Sequence, residues 1–212
     1  MDAVAKDRRF WDKAARKYAA SPIADMEGYE RTLARTRAHL KGDHAVLEFG
    51  CGTGTTAIRL APSVAHYLGT DISPEMIAIA REKALAEGVA NVRFEAAALD
   101  DAAWPDGAFD AALGFNILHL VKDRPAALAR IRRALKPGGL LITKTVCLSE
   151  MNPLFRVLVP LMQAVGAAPS VSFVDGAALE REIEAAGFAI LVRERHGAKK
   201  RDPRPFIVAQ RA

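Results

Sequence analysis

Glu48, the alternating glycines Gly50, Gly52 and Gly54, and Asp71 are the residues whose types and spacing point most directly to chemistry. Val46-Leu47-Glu48-Phe49 reads as a short apolar strand carrying one carboxylate, and Gly-Cys-Gly-Thr-Gly follows at once. Glycine has no Cβ, so the backbone can turn sharply at those points and lie directly against a ligand. A second apolar run, residues 64–70, then delivers Asp71 beside the turn. A carboxylate so placed suits paired hydrogen bonds to the two hydroxyls of a ribose. The pattern reads as a nucleoside site.

Two phosphate-binding alternatives fit less well. The dinucleotide fingerprint needs glycine at its first, third and sixth positions, and the sixth position counted from Gly50 is Thr55. A phosphate loop of the NTPase kind needs Gly-Lys-Ser/Thr, and there is no lysine between Lys41 and Lys83. A sulfonium nucleoside carries no phosphate and needs no such lysine. It needs acceptors for an ammonium group and a ribose, which Glu48 and Asp71 supply directly or through water. The structural alternatives are a backbone cap for Glu48 and a helix N-terminal charge for Asp71.

Residues 46–54, VLEFGCGTG, resemble motif I of the class I S-adenosylmethionine-dependent methyltransferases, particularly the bacterial small-molecule type. Asp71-Ile72-Ser73 resembles their second motif, FDAALGFNILHLV (109–121) the fourth-strand motif, and LKPGGLLI (135–142) the turn into the fifth strand. The four run in the family's order across residues 40–145. The resemblance implies an α/β, Rossmann-like, seven-stranded doubly wound sheet of order 3-2-1-4-5-7-6, with strand 7 antiparallel and helices on both faces. It implies S-adenosylmethionine as cofactor and S-adenosylhomocysteine as product.

The resemblance also implies a set of cofactor contacts. Glu48, Gly50, Cys51, Gly52 and Thr55 belong to the glycine turn, with Glu48 toward the ammonium. Asp71 is the ribose residue, and Ile72 and Met76 offer apolar surface to adenine, core packing being their alternative role. Phe115 and Asn116 follow the fourth strand, and Tyr18 comes from an N-terminal helix that closes over the methionine arm. One departure stands out. The family often places an Asp after the third strand against the adenine amino group, and here that position falls on Ala98. The contact passes to the Leu99 backbone or to Asp100.

Methyl transfer asks little of side chains, because alignment of nucleophile, methyl and sulfur supplies much of the acceleration. His119, just after the fourth strand, is the candidate base, with a structural role in the loop as its alternative. Base-amine methylation on nucleic acids usually goes with an Asn/Asp-Pro-Pro-aromatic turn; here the turn is Gly114-Phe115-Asn116-Ile117. A small organic acceptor is expected and a nucleic acid is not. Residues 153–168, PLFRVLVPLMQAVGAA, have Arg156 as their only charge. They are shorter than the ~20 residues of a membrane span and contain Pro160. In the family a substrate lid sits here, so its apolar character fits a small or hydrophobic acceptor, a core helix being the alternative. Methylation of a lipid or quinone through a peripheral membrane contact is a second reading. A non-catalytic S-adenosylmethionine-binding protein is a third.

These features need one α/β domain to position them. The 212 residues, half of them hydrophobic and a quarter charged, suit a single unit with a sizeable core. It divides into an N-terminal helical cap (1–42), a cofactor-binding core (43–147), a lid (148–174) and a C-terminal helix and hairpin (175–212). Helices are expected over 2–20, 27–40, 55–60, 124–135 and from Asp175 to Gly187. A further helix opens at Ser73 as N-cap with Pro74 at its first position and runs to Gly88. Strands are expected at 45–49, 64–70, 91–95, 109–115, 140–147, 188–192 and 206–210.

The net charge is +5, part of it in His196, Lys199, Lys200, Arg201 and Arg204, read as a solvated loop. Cys51 and Cys147 form neither a disulfide framework nor a metal cluster, so no metal is expected. With no secretory leader evident, a cytoplasmic location with reduced thiols follows.

Overall fold

A computed structural model describes residues 3–197 and 202–212; Asp2, proposed as the first helical residue, and Lys199, Lys200 and Arg201 of the basic run lie outside the described residues. The chain runs α1 (Ala3–Ala20), α2 (Met26–Arg37), β1 (Ala45–Phe49), α3 (Thr55–Leu60), β2 (His66–Asp71), α4 (Pro74–Ala86) and β3 (Val92–Ala96). It continues β4 (Phe109–Phe115), α5 (Arg124–Ala134), β5 (Leu135–Lys144), α6 (Phe155–Ala164), α7 (Gly176–Ala185), β6 (Phe188–Arg195) and β7 (Pro205–Arg211).

Short polar side chains start the helices where expected. Ser73 Oγ accepts from Met76 N at 3.1 Å ahead of Pro74, and Asp175 Oδ1 accepts from Ala178 N at 2.7 Å. Each satisfies one of the amides a helix leaves unpaired at its start. Asp25 and Asp123 do the same for α2 and α5.

The seven strands form one sheet of order β3-β2-β1-β4-β5-β7-β6. All neighbours are parallel except β7, which runs antiparallel to both β5 and β6. Successive side chains of the central strands feed two opposite cores. Leu47, Ala112, Leu141 and Ile207 meet α5 and α7 through Leu128, Ile131, Leu179 and Ile183. Val46, Leu113, Ile142 and Val208 meet α2, α3 and α4 through Leu33, Ile58 and Ile77. The order reverses between β1 and β4, and in such sheets ligands sit beyond the carboxyl ends of the strands at that point.

Several boundaries differ from the sequence reading. β2 starts at His66 rather than 64, because Val64 N closes a turn onto Ala61 O at 3.1 Å. β5 covers 135–144 rather than 140–147. Its ladder with β7 ends where the facing chain contains Pro203 and Pro205, which have no amide to donate. β6 runs on to Arg195, three residues past its last apolar side chain, because backbone pairing to Pro205 continues.

Helix α2 is held to the C-terminal hairpin by polar contacts. Arg35 forms a bidentate pair with Glu194 at 2.7–3.0 Å, and Arg31 donates to His196 O at 2.7 and 2.9 Å. Helix α1 packs on α4. These contacts bring both N-terminal helices over the carboxyl edge of the sheet.

Candidate functional site

The site begins with a carboxyl group where a core side chain would ordinarily sit. Glu48, on the same face of β1 as Val46, is only 2% exposed, and Tyr67 on β2 donates its hydroxyl to Glu48 Oε2 at 2.8 Å. Burial pushes this carboxyl up to about 8, with the Asp71 charge adding to the rise and the Tyr67 hydrogen bond opposing it. Near neutral pH Glu48 is therefore mostly protonated, in the wall of a cavity.

Above it the glycine turn is tied to the end of β2. Cys51 N donates to Thr70 O at 2.9 Å. Gly52 N donates to Asp71 Oδ2 and Ser73 N to Asp71 Oδ1, each at 2.9 Å. Burial raises the Asp71 pKa, and these two amides oppose the rise. The carboxylate is thus fixed in orientation and retains lone pairs for a ligand. From the other side Lys83 Nζ reaches Thr53 Oγ1 at 3.1 Å and Thr55 Oγ1 at 3.2 Å.

Two of the glycines serve different ends. Gly54 (φ +74°) caps α3, and a Cβ there would fall 2.8 Å from both Ala80 Cβ and Phe94 Cζ, so its absence is required by packing. Gly52 (φ +54°) faces open space, where a Cβ would meet nothing nearer than the Tyr18 ring at 3.9 Å. The cradle left at Gly52 is ligand-sized space rather than protein contact.

Two chambers meet at this turn, sharing Tyr18, Gly50, Gly52, Phe115 and Asn116. The first, of about 390 Å³, is lined by Asp71, Ile72, Met76 and residues 97–100, with Trp11, Ile117, Leu120 and Val121 also in its wall. The second, of about 360 Å³, is more polar: Glu48, Cys51, Thr53 and Thr55, with Tyr29, Thr32, Lys144 and Arg204. At their junction Asn116 is the one non-glycine described residue with positive φ (54°), a conformation asparagine tolerates better than most. Its amide donates to Lys144 O at 2.7 Å, holding the turn after β4 against the end of β5.

Every expected contact residue lines one or both chambers: Tyr18, Glu48, Gly50, Cys51, Gly52, Thr55, Asp71, Ile72, Met76, Ala98, Leu99, Phe115 and Asn116. Asp100, the stand-in considered for the missing Asp at Ala98, is there too. His119 lines neither chamber. Its Nδ1 is buried without a hydrogen-bond partner, and burial pushes its pKa down to about 4.

The sequence reading missed Lys144, which ends β5 much as Glu48 interrupts β1. That lone charge closing an apolar run was the available signal. Lys144 is 6% exposed, donates to Thr32 Oγ1 at 3.1 Å and lies 3.8 Å from Asp202 Oδ2; burial lowers its pKa. Trp11 reaches the first cavity with no local signal. Arg204, read as part of a solvated basic loop, instead lines the second chamber and pairs with Asp25 and Asp202, and His196 of the same run is buried. Among the described residues no group of three or more His, Cys, Asp or Glu could hold a metal ion. None of their helices is long and apolar enough to cross a membrane.

Comparison with known proteins matches residues 46–139 to a family described as a methyltransferase domain. An uncharacterized methyltransferase of Bacillus subtilis, YcgJ, is 33% identical over 113 residues, 53% of this chain and 45% of that protein. Its crystal structure superposes with a TM-score of 0.68 at 24% identity, covering 78% of this chain and 72% of that one. A demethylmenaquinone methyltransferase of Thermus thermophilus is 42% identical over 108 residues, 48% of this chain and 47% of that protein. The matches to these two curated relatives span less than half of their length. An S-adenosylmethionine-dependent methyltransferase from Mesorhizobium loti shares the fold, with a TM-score of 0.69 at 23% identity over 84% of this chain and 96% of that one.

The raised Glu48 pKa carries a sign. Between the ordinary carboxylate range and about 8 the folded protein holds a proton that the unfolded chain releases, so this group's contribution to stability falls as pH rises through that window. Glu48→Gln is expected to melt above the wild type near pH 8 and level with it near pH 5; an offset equal at both pH values would contradict the assignment. Gly54→Ala should cost about 2 kcal/mol or more through overpacking and strain. Gly52→Ala should cost only the strain, about 1–2 kcal/mol, as urea unfolding midpoints would show.

Proposed function

We propose that this chain, whose residues 46–139 match a family described as a methyltransferase domain, is a class I S-adenosylmethionine-dependent methyltransferase that transfers the cofactor's methyl group to a small organic acceptor. The observation that carries the proposal is the pair of joined chambers, one lined by Asp71 and the other by Glu48, that meet at the bare backbone of Gly52. When bound, S-adenosylmethionine supplies an electrophilic methyl group on a sulfonium leaving group.

The residues present fit that molecule. Asp71, already oriented by two amides, faces the ribose hydroxyls. Ile72 and Met76 lie along the adenine, with Ala98, Leu99 and Asp100 at its amino edge. Glu48 meets the ammonium, with Cys51, Thr55 and Tyr18 walling the methionine arm. Gly50, Gly52, Phe115 and Asn116 frame the junction where an acceptor would meet the methyl group. In this reading α1 and α2 form the cap over the core and residues 148–174 the lid. The name of the Thermus relative supports an acceptor in the small-molecule class.

His119 is the candidate base of this reading, adjacent to Leu120 in the wall of the first chamber. A pKa of about 4 leaves it free to accept a proton at neutral pH but makes it a weak base. Orientation and water exclusion therefore account for most of the rate.

Three outcomes follow. Asp71→Ala should weaken S-adenosylmethionine binding at least tenfold, about 1.4 kcal/mol, measured by titration calorimetry; unchanged affinity in a folded variant would remove the ribose assignment. Near pH 7, binding should release part of a proton as the ammonium draws Glu48 into its charged form. Calorimetry in buffers of different ionisation heat should detect this release in the wild type and not in Glu48→Gln. His119→Ala should lower kcat by about tenfold or less, and a loss of a hundredfold would make it the principal base.

A further inference from the structure

Helix α6 is largely apolar and mostly exposed, with only Phe155, Val159 and Gln163 half-buried along one side. Of its residues Phe155–Ala164 only Arg156 is charged and only Gln163 is otherwise polar, and no residue of the helix is buried. Val157 and Leu161 are each 61% exposed, Leu158 44% and Met162 38%; just outside the helix, Leu154 is 64% and Val165 80% exposed. A contiguous apolar patch on a folded surface marks a contact site.

The charge beside it indicates what covers it. Helix α1 is joined to this segment through Lys6 Nζ donating to Gln163 O at 3.2 Å and Ser170 N donating to Asp7 Oδ1 at 2.9 Å. It carries six cations, Lys6, Arg8, Arg9, Lys13, Arg16 and Lys17, all exposed. Its two acids are engaged by the protein: Asp7 by Ser170, and Asp12 by Ser73 Oγ at 2.6 Å. The charge α1 leaves for solvent is therefore positive, next to a bare apolar helix.

We infer that α6 and α1 together form a docking face for an anionic phospholipid surface, with α6 lying in the headgroup boundary and the α1 cations over the acidic lipids. Apolar burial of a short interfacial helix combined with basic residues at an anionic surface is the physics of peripheral membrane binding. A ten-residue helix cannot cross the bilayer, so the contact is superficial and reversible. A second copy of the chain, carrying the same positive α1, would bring like charges together at the same face. The inference does not depend on methyl transfer.

The test is co-sedimentation of the full chain with phosphatidylcholine vesicles, with and without phosphatidylglycerol. Partitioning should be at least tenfold stronger on the anionic vesicles and should fall severalfold between about 0.1 M and about 1 M salt. Leu158→Glu with Leu161→Glu should abolish it, and Lys13→Glu with Lys17→Glu should remove the preference for phosphatidylglycerol. Both variants should keep the wild-type melting temperature and circular dichroism, which shows that they are folded independently of the cofactor reading. Absence of binding to either vesicle would overturn the inference. So would a concentration-dependent dimer that the α6 substitutions dissolve without any vesicle binding, since that assigns the face to a second copy.

Discussion

The architecture turns on a carboxyl group buried at the carboxyl end of the central strand. An isolated charge at the Glu48 position would be costly, and the fold answers with a Tyr67 hydroxyl and a raised pKa rather than with a cation of its own. Lys144, the nearest candidate for that role by its place at a strand end, is instead engaged with Thr32 and Asp202. Glu48 itself is bonded by Tyr67 and by no cation among the described residues, although Lys144 and Arg204 line the same chamber. In the proposed reading, stability given up at this point is what would let a cationic ligand be recognised there.

Everything around Glu48 serves to hold the two chambers in register. Reversal of strand order between β1 and β4 opens the crevice, and Asp71 fastens the glycine turn to β2 from one side. The Asn116 amide fastens the β4 turn to β5 from the other. The polar clasp between α2 and the C-terminal hairpin then sets the roof, with Thr32 reaching both His196 Nδ1 at 3.0 Å and Lys144. Among the described residues the one non-glycine with left-handed backbone, Asn116, lies at this edge.

What could be read in the sequence was what is encoded locally. The order Glu, alternating glycines, Asp gave the first two strands and the turn between them, and Ser73-Pro74 gave the start of α4 with its cap. The strand order came through the family resemblance, since composition and periodicity do not specify which strands are neighbours. Elements set by tertiary pairing were misjudged: β5 and β6 have ends decided by partners across the sheet, where Pro203 and Pro205 cannot donate and Arg195 still pairs. Trp11, which arrives from a distant part of the chain, was illegible for the same reason, and Arg204 was legible only as one charge of a run read as solvated. The exposed face of α6 was legible only as apolar composition, because whether such a helix is core or surface depends on what packs against it.

The central claim is that one cofactor spans both chambers, its nucleoside on Asp71 and its ammonium on Glu48. A crystal structure with S-adenosylhomocysteine bound tests it most directly. The account predicts ribose hydroxyls within hydrogen-bond distance of the Asp71 carboxylate, about 2.7–3.2 Å. It also predicts the amino group on Glu48, directly or through one water, with the chain of the ligand passing over Gly52. A ligand seated with its nucleoside in the polar chamber, or wholly within one chamber with Glu48 still covered only by Tyr67, would contradict it.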